Sequence, residues 1–217
     1  MKPGKGLLIS FEGIDFSGKS VQSELLYKKI KESYTVKNCP VYLFREPGGS
    51  KISELIREIL LDRSLTMMNS YTELLLYSAA RSQLIVEKII PELNRGSIVI
   101  CDRFYDSTVA YQGYGRSIEL DKIKMANHIA THGVKPKITL IIDVEPQMAA
   151  DRQRKAGFNR DRLENEKLSF HQKVRAGYLQ LAVDEPDRVK IINGNDKIEE
   201  ISKKIWQLIE TDLIKHF

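Results

Sequence analysis

Five short runs rich in β-branched and aliphatic residues punctuate the chain, at residues 7–11, 41–44, 98–101, 138–143 and 189–192. They are mostly apolar rather than strictly alternating, and longer stretches of helical period separate them. A strand that is apolar on both faces needs cover on both, which a crossover helix between successive strands provides. The pattern predicts an α/β fold in three layers, a five-stranded parallel sheet flanked by helices. Phe170, Val174, Tyr178 and Leu181 recur at helical spacing, as do Ile198, Ile201, Ile205 and Leu208, and both stripes read as core. Residues 70–88 are apolar on more than one side, through Leu74, Leu75, Leu76, Leu84, Ile85 and Val86. That segment is expected to meet the sheet and a second surface, which a homodimer would supply. No repeat, low-complexity tract or linker divides residues 1–217, so one domain is expected.

In such sheets ligands gather beyond the carboxyl ends of the strands. The polar residues there are Glu12, Asp15, Arg45, Asp102, Arg103 and Asp143. After the first strand runs Gly13-Ile14-Asp15-Phe16-Ser17-Gly18-Lys19-Ser20, with the spacing G-x-x-x-x-G-K-S. Glycines at those positions let backbone N–H groups curl around phosphates, Lys19 reaches the outer phosphates, and Ser20 offers its hydroxyl to Mg²⁺. The helix that follows presents its positive end. The strand before and the helix after give the motif its required context, so a nucleoside triphosphate cradle is expected rather than a bare turn.

Composition narrows the partners. With 42% hydrophobic and 29% charged residues, the chain reads as a soluble globular protein, and no apolar run approaches the ~20 residues of a membrane span. Residues 1–6 lead into the first strand without the apolar stretch of a signal peptide, which points to the cytoplasm. Cys39 and Cys101 lack metal-type spacing and read as reduced and structural. The net charge of +5 admits nucleic acid, a membrane surface or small anions. Its densest part holds Arg152, Arg154, Lys155, Arg160 and Arg162. Such a cluster is most often a solvated face, but beside a phosphate cradle it favours a polyphosphate clamp, with no nucleic acid and no membrane as partner. A guanine-reading N-K-x-D is absent from the sequence. Two strand-end arginines, Arg45 and Arg103, instead point to a second phosphate-bearing substrate. Transfer between phosphates gathers negative charge that Arg, Lys and Mg²⁺ must neutralise, and the guanidinium fork binds phosphate bidentately.

The segments Phe11-Glu12-Gly13-Ile14-Asp15, Arg45-Glu46-Pro47-Gly48-Gly49, Tyr77-Ser78-Ala79-Ala80-Arg81, Asp102-Arg103-Phe104, Ser107 to Gly113 and Asp161-Arg162-Leu163-Glu164 together resemble bacterial thymidylate kinases over essentially the whole chain. The resemblance implies the P-loop kinase fold, with a short mobile lid at about residues 150–163, and transfer of the γ-phosphate of Mg·ATP to dTMP. It also implies a homodimer.

The same resemblance implies roles for individual residues. Gly13, Ile14, Asp15, Phe16, Ser17, Gly18, Lys19 and Ser20 would hold ATP, Arg152 would pack on adenine, and Asn193 would border the adenine pocket. Asp15 would hold the acceptor's 3′-hydroxyl; without the resemblance it reads as a cap for the following helix, and the two roles need not exclude each other. Arg45 and Arg103 would grip the acceptor's 5′-phosphate, Tyr77 would stack on thymine, and Arg81, Ser107 and Gln112 would touch the base. Tyr111 would crowd the 2′ position, and Asp102 would join the Mg²⁺ shell through water, with Ser20. Phe16 stands where some family members place an arginine, so the lid must supply the catalytic cation through Arg154 or Arg160. A kinase for another monophosphate or a nucleoside, and a non-catalytic nucleotide-binding protein, are the competing readings.

Overall fold

The computed structural model describes residues 6–33, 39–157 and 161–216. Its five strands are β1 (Leu7–Glu12), β2 (Val41–Arg45), β3 (Ile98–Asp102), β4 (Ile138–Asp143) and β5 (Val189–Asn193). All pair in parallel, in the order β2-β3-β1-β4-β5. Strand alternation sorts the side chains into two cores. Leu7, Ile9, Phe11, Ile98, Ile100, Leu140 and Ile142 face α1 (Lys19–Glu32) and α9 (Ile198–His216), where Leu26, Ile30, Ile201, Ile205 and Ile209 meet them. On the other face Leu8, Val99 and Cys101 pack on Leu84, Ile85, Ile89 and Phe104. Ile141 and Val189 there pack on Phe170, Val174, Tyr178 and Leu181 of α8 (Leu168–Asp184). The expected three-layer α/β arrangement is present.

Three expectations need adjustment. Four strands run one residue further than their apolar runs, to Glu12, Arg45, Asp102 and Asn193, so polar residues sit within the strand ends. The stripe of α9 turns inward through Ile201, Ile205 and Ile209, while Ile198 and Leu208 are 52% and 38% exposed. Residues 70–88 are not one α-helix: α3 (Ser70–Leu84) passes into a π-helical turn (Ile85–Ile89) and then α4 (Ile90–Asn94). Pro91 lacks the N–H that would bond the Glu87 carbonyl, and a wider turn precedes it.

The remaining helices are α2 (Lys51–Leu61), α5 (Tyr105–Thr108), α6 (Leu120–Thr131) and α7 (Pro146–Ala156). A second π-helical stretch, Val109–Gly115, joins α5 to α6. The central strand β1 precedes connections that lead first to one side of the sheet and then to the other. That places the crevice of the switch point over the carboxyl ends of β1, β3 and β4. The expected lid covers the second half of α7 and the turn that begins at Asp161, while Arg160 lies outside the described residues.

Candidate active site

The loop after β1 is shaped by positions that ordinary side chains avoid. Gly13 has φ +137°, and a Cβ there would lie 2.6 Å from the Ile142 carbonyl oxygen, so only glycine fits. Gly18 has φ +98° and opens α1. Phe16 holds φ +60° despite its side chain. No side chain caps α1 and its first turn carries no acid, which leaves its N–H groups free for an anion. Asp15 therefore does not cap this helix. The Lys19 ammonium lies buried under the loop, 3.4 Å from the Ile14 carbonyl and 3.7 Å from Asp15. Burial and nearby Arg103 push its pKa down. Ser20 is exposed at the loop mouth.

β3 leaves the sheet beside this loop, and Arg103 takes φ +72° there. Its guanidinium donates to the Gly13 carbonyl at 2.9 Å, to Asp15 Oδ1 at 2.5 Å and to the Tyr111 hydroxyl at 3.0 Å. Tyr111 in turn donates to Asp15 Oδ2 at 2.8 Å. Burial alone would raise the Asp15 carboxyl, but Arg103, Lys19 and Tyr111 outweigh it and hold it well below the usual range. Beneath them Glu12, fully buried, accepts from the Phe104 N–H at 2.7 Å, Ser107 Oγ at 2.6 Å and the Tyr178 hydroxyl at 2.9 Å. Burial, with the neighbouring charge of Asp106, raises Glu12 to about 7. Asp102 Oδ1 is buried without a hydrogen-bond partner. An orphaned carboxylate oxygen close enough to Lys19 to influence it suits a hydrated divalent cation.

A cavity opens beside Arg103. Asp15, Tyr77, Arg81, Arg103, Ser107, Tyr111 and Gln112 line it, together with Pro47, Arg57 and Asp161. Seven of the eight residues expected at the acceptor are thus brought together. Arg81 is buried, and four of its five N–H groups go to Glu46, Thr108, Asn127 and the Phe104 carbonyl, leaving one on its second terminal nitrogen. The eighth, Arg45, is not among the lining residues. Its half-exposed guanidinium pairs with Glu54, both contacts at 3.1 Å. Arg57 stands in the wall instead, anchored by the Pro47 carbonyl at 2.9 Å. Only the packing of α2 turns Arg57 inward, and no sequence motif marks it. Tyr178, read as core, is core through its ring and site through its hydroxyl.

The basic cluster divides. Arg152 donates to the carbonyls of Phe16, Ser17 and Gly194 at 3.3, 3.2 and 2.8 Å, bracing the phosphate loop against the turn after Asn193. Arg162, its side chain 10% exposed, ion-pairs with Glu73 at 2.7 Å. Arg154 pairs with Asp151 on the exposed side of α7, and the structure does not bring it to the phosphate loop.

The thymidylate kinase family model matches residues 11–205. The thymidylate kinase of Caldanaerobacter subterraneus subsp. tengcongensis is 45% identical over 207 residues, covering 95% of this chain and 96% of the relative. That of Bacillus cereus is 42% identical over 211 residues, covering 97% and 100%. The crystal structure of thymidylate kinase from Ehrlichia chaffeensis superposes with a TM-score of 0.76 at 35% identity, covering 94% of this chain and 98% of that one. A match of this length, through both the phosphate loop and the strand ends around the cavity, establishes that the chain belongs to the thymidylate kinase family.

Proposed function

We propose that the protein transfers the γ-phosphate of Mg·ATP to dTMP, giving dTDP and ADP. The observation that carries this reading is the junction of two anion sites through Arg103, whose one guanidinium touches the phosphate loop at Gly13 and the acceptor cavity at Asp15 and Tyr111. Residues Gly13 to Ser20 bind the triphosphate, with Lys19 on its outer phosphates. Arg152 acts by holding the loop that cradles it, and Asn193 borders the adenine. In the cavity Arg103 and Arg57 grip the acceptor phosphate, with Arg45 at the outer rim. Asp15 and Tyr111 frame the sugar, Tyr77 covers the base, and Arg81, Ser107 and Gln112 meet its polar edge.

Ser20 and, through water, Asp102 would hold Mg²⁺, which neutralises phosphate charge when bound. The chemistry needs no covalent intermediate. It depends on holding acceptor and donor in line, and on positive charge at the transferred group. Phe16 brings no charge into the loop, so Arg154 or Arg160 supplies it once the lid, at about residues 150–163, closes.

Residues 1–217 act as one domain in a homodimer. Ile52, Leu55 and Ile59 of α2, Leu75 of α3 and Met125 and Ile129 of α6 are all exposed, and α3 contacts both neighbours. An apolar face of this extent favours a second copy. No described helix is long and apolar enough to cross a membrane, both cysteines are free, and we place the protein in the cytoplasm. A coupled ADP-release assay with Mg·ATP and a panel of monophosphates and nucleosides tests the reading. dTMP should turn over fastest, and faster turnover of dGMP, dCMP or thymidine would refute it.

A further inference from the structure

Glu73, Tyr77 and Arg81 lie at i, i+4 and i+8 on α3, on one face of the helix. Tyr77 and Arg81 line the acceptor cavity, whereas Glu73 lies behind it, 1% exposed. Its carboxylate accepts hydrogen bonds from Gln112 Nε2 at 2.8 Å and from Arg116 at 3.1 and 3.0 Å, and ion-pairs with Arg162 at 2.7 Å. Burial would raise this carboxyl, but those donors outweigh it and keep it ionised.

An ionised carboxylate only accepts hydrogen bonds, so Gln112 can meet it only through its NH₂ group. The two ends of a side-chain amide point apart. With the nitrogen committed to Glu73, the amide oxygen is the end left for the cavity that Gln112 lines. A neutral amide without such a neighbour could present either end. Arg116 also pairs with Glu166 at 2.6 Å, and Arg162 donates to the Leu60 carbonyl at 3.0 Å, so either arginine alone can hold the carboxylate in place. Among the groups lining the cavity, Gln112 thus presents an acceptor and Arg81 keeps one N–H donor. Thymine and uracil match that pair with an N3–H beside an O4 acceptor. Cytosine mismatches both, with an N3 acceptor beside an amino group.

We propose that Glu73 is a positioning residue for base selection: by fixing the amide of Gln112 it makes the cavity require a hydrogen-bond donor at N3 of the acceptor pyrimidine. This rests on reading the cavity as the dTMP site.

The test compares kcat/KM for dTMP and dCMP. In Glu73→Gln the amide of Gln112 is freed to turn, and the dTMP-to-dCMP preference should fall about tenfold, the scale of one exchanged hydrogen bond. In Arg116→Met the carboxylate remains and the preference should stay. Equal losses on both substrates in Glu73→Gln, or an equal fall in preference in Arg116→Met, would overturn the proposal. Should Glu73→Gln not fold, the wild-type protein decides with N3-methyl-dTMP. A kcat/KM at least about tenfold below that of dTMP supports the fixed acceptor, since a site built around one hydrogen bond rejects the analogue lacking it. Equal use of both overturns it. A wild-type protein that fails to phosphorylate dTMP refutes the reading of the cavity, whereas dTMP turnover with an unchanged preference in Glu73→Gln refutes only the role of Glu73.

Discussion

Arg103 and Asp15 are 2.5 Å apart, an ion pair that spans the gap between the exit of β3 and the phosphate loop. Neither strand end could set this distance alone. The parallel pairing of β1 with β3, Phe11 opposite Asp102, brings the two loops side by side, and the pair then fixes how the phosphate loop and the cavity face each other, which on the proposed reading sets donor against acceptor. Arg103→Lys keeps a positive charge but loses the fork that reaches Gly13, Asp15 and Tyr111 together. It is expected to lower kcat/KM for dTMP by about 10²-fold or more. Steady-state kinetics check this, and a loss below about threefold would contradict it.

Arg57 and Arg45 are separated by the same measurement. Arg57 lines the cavity, while Arg45 is held at the rim by Glu54. Arg57→Ala should raise KM for dTMP at least about tenfold, as expected for loss of a charge-assisted hydrogen bond. Arg45→Ala should have the smaller effect, and the reverse order would restore Arg45 as the principal phosphate ligand.

Glu12 gives a pH signature. Its folded-state pKa, about 7, lies above the ordinary 4.5, so between those values the native state binds more protons than the unfolded one. The stability it contributes is complete below pH 4.5 and is lost as pH rises through 7. Asp106 and Arg103, the charges that face it, remain in Glu12→Gln. Chemical denaturation from pH 4.5 to 8 should show a flatter decline in that variant than in the wild type. Parallel curves would exclude a raised Glu12.

Asp102 tests the metal. Its orphaned Oδ1 is expected to meet the hydration shell of Mg²⁺, so chelation should abolish turnover. Asp102→Asn should raise the Mg²⁺ concentration for half-maximal rate by about tenfold, on the scale of an altered outer-shell partner, with KM for dTMP little changed. An unaltered Mg²⁺ requirement would remove Asp102 from the metal site.

Much of this was legible in the chain because local patterns carry it. The five strands follow from apolar runs, and the phosphate loop from glycine spacing whose geometric need is visible at Gly13. What escaped depends on tertiary packing. Arg57 and Glu73 look like ordinary helix charges until α2 and α3 are docked, and Tyr178 looks like one more core ring. Arg152, Arg162 and Arg154 share one composition signal yet divide between a brace, a largely shielded ion pair and a solvent-facing pair. Residue spacing says nothing about which partner each one finds.

The most direct measurement follows the transferred group itself. With γ-labelled ATP, Mg²⁺ and dTMP, the label is expected to appear in the β-phosphate of dTDP, with one ADP formed for each label transferred. Label released as inorganic phosphate, or retained in ATP while dTMP stays unchanged, would contradict phosphoryl transfer between the two sites joined by Arg103.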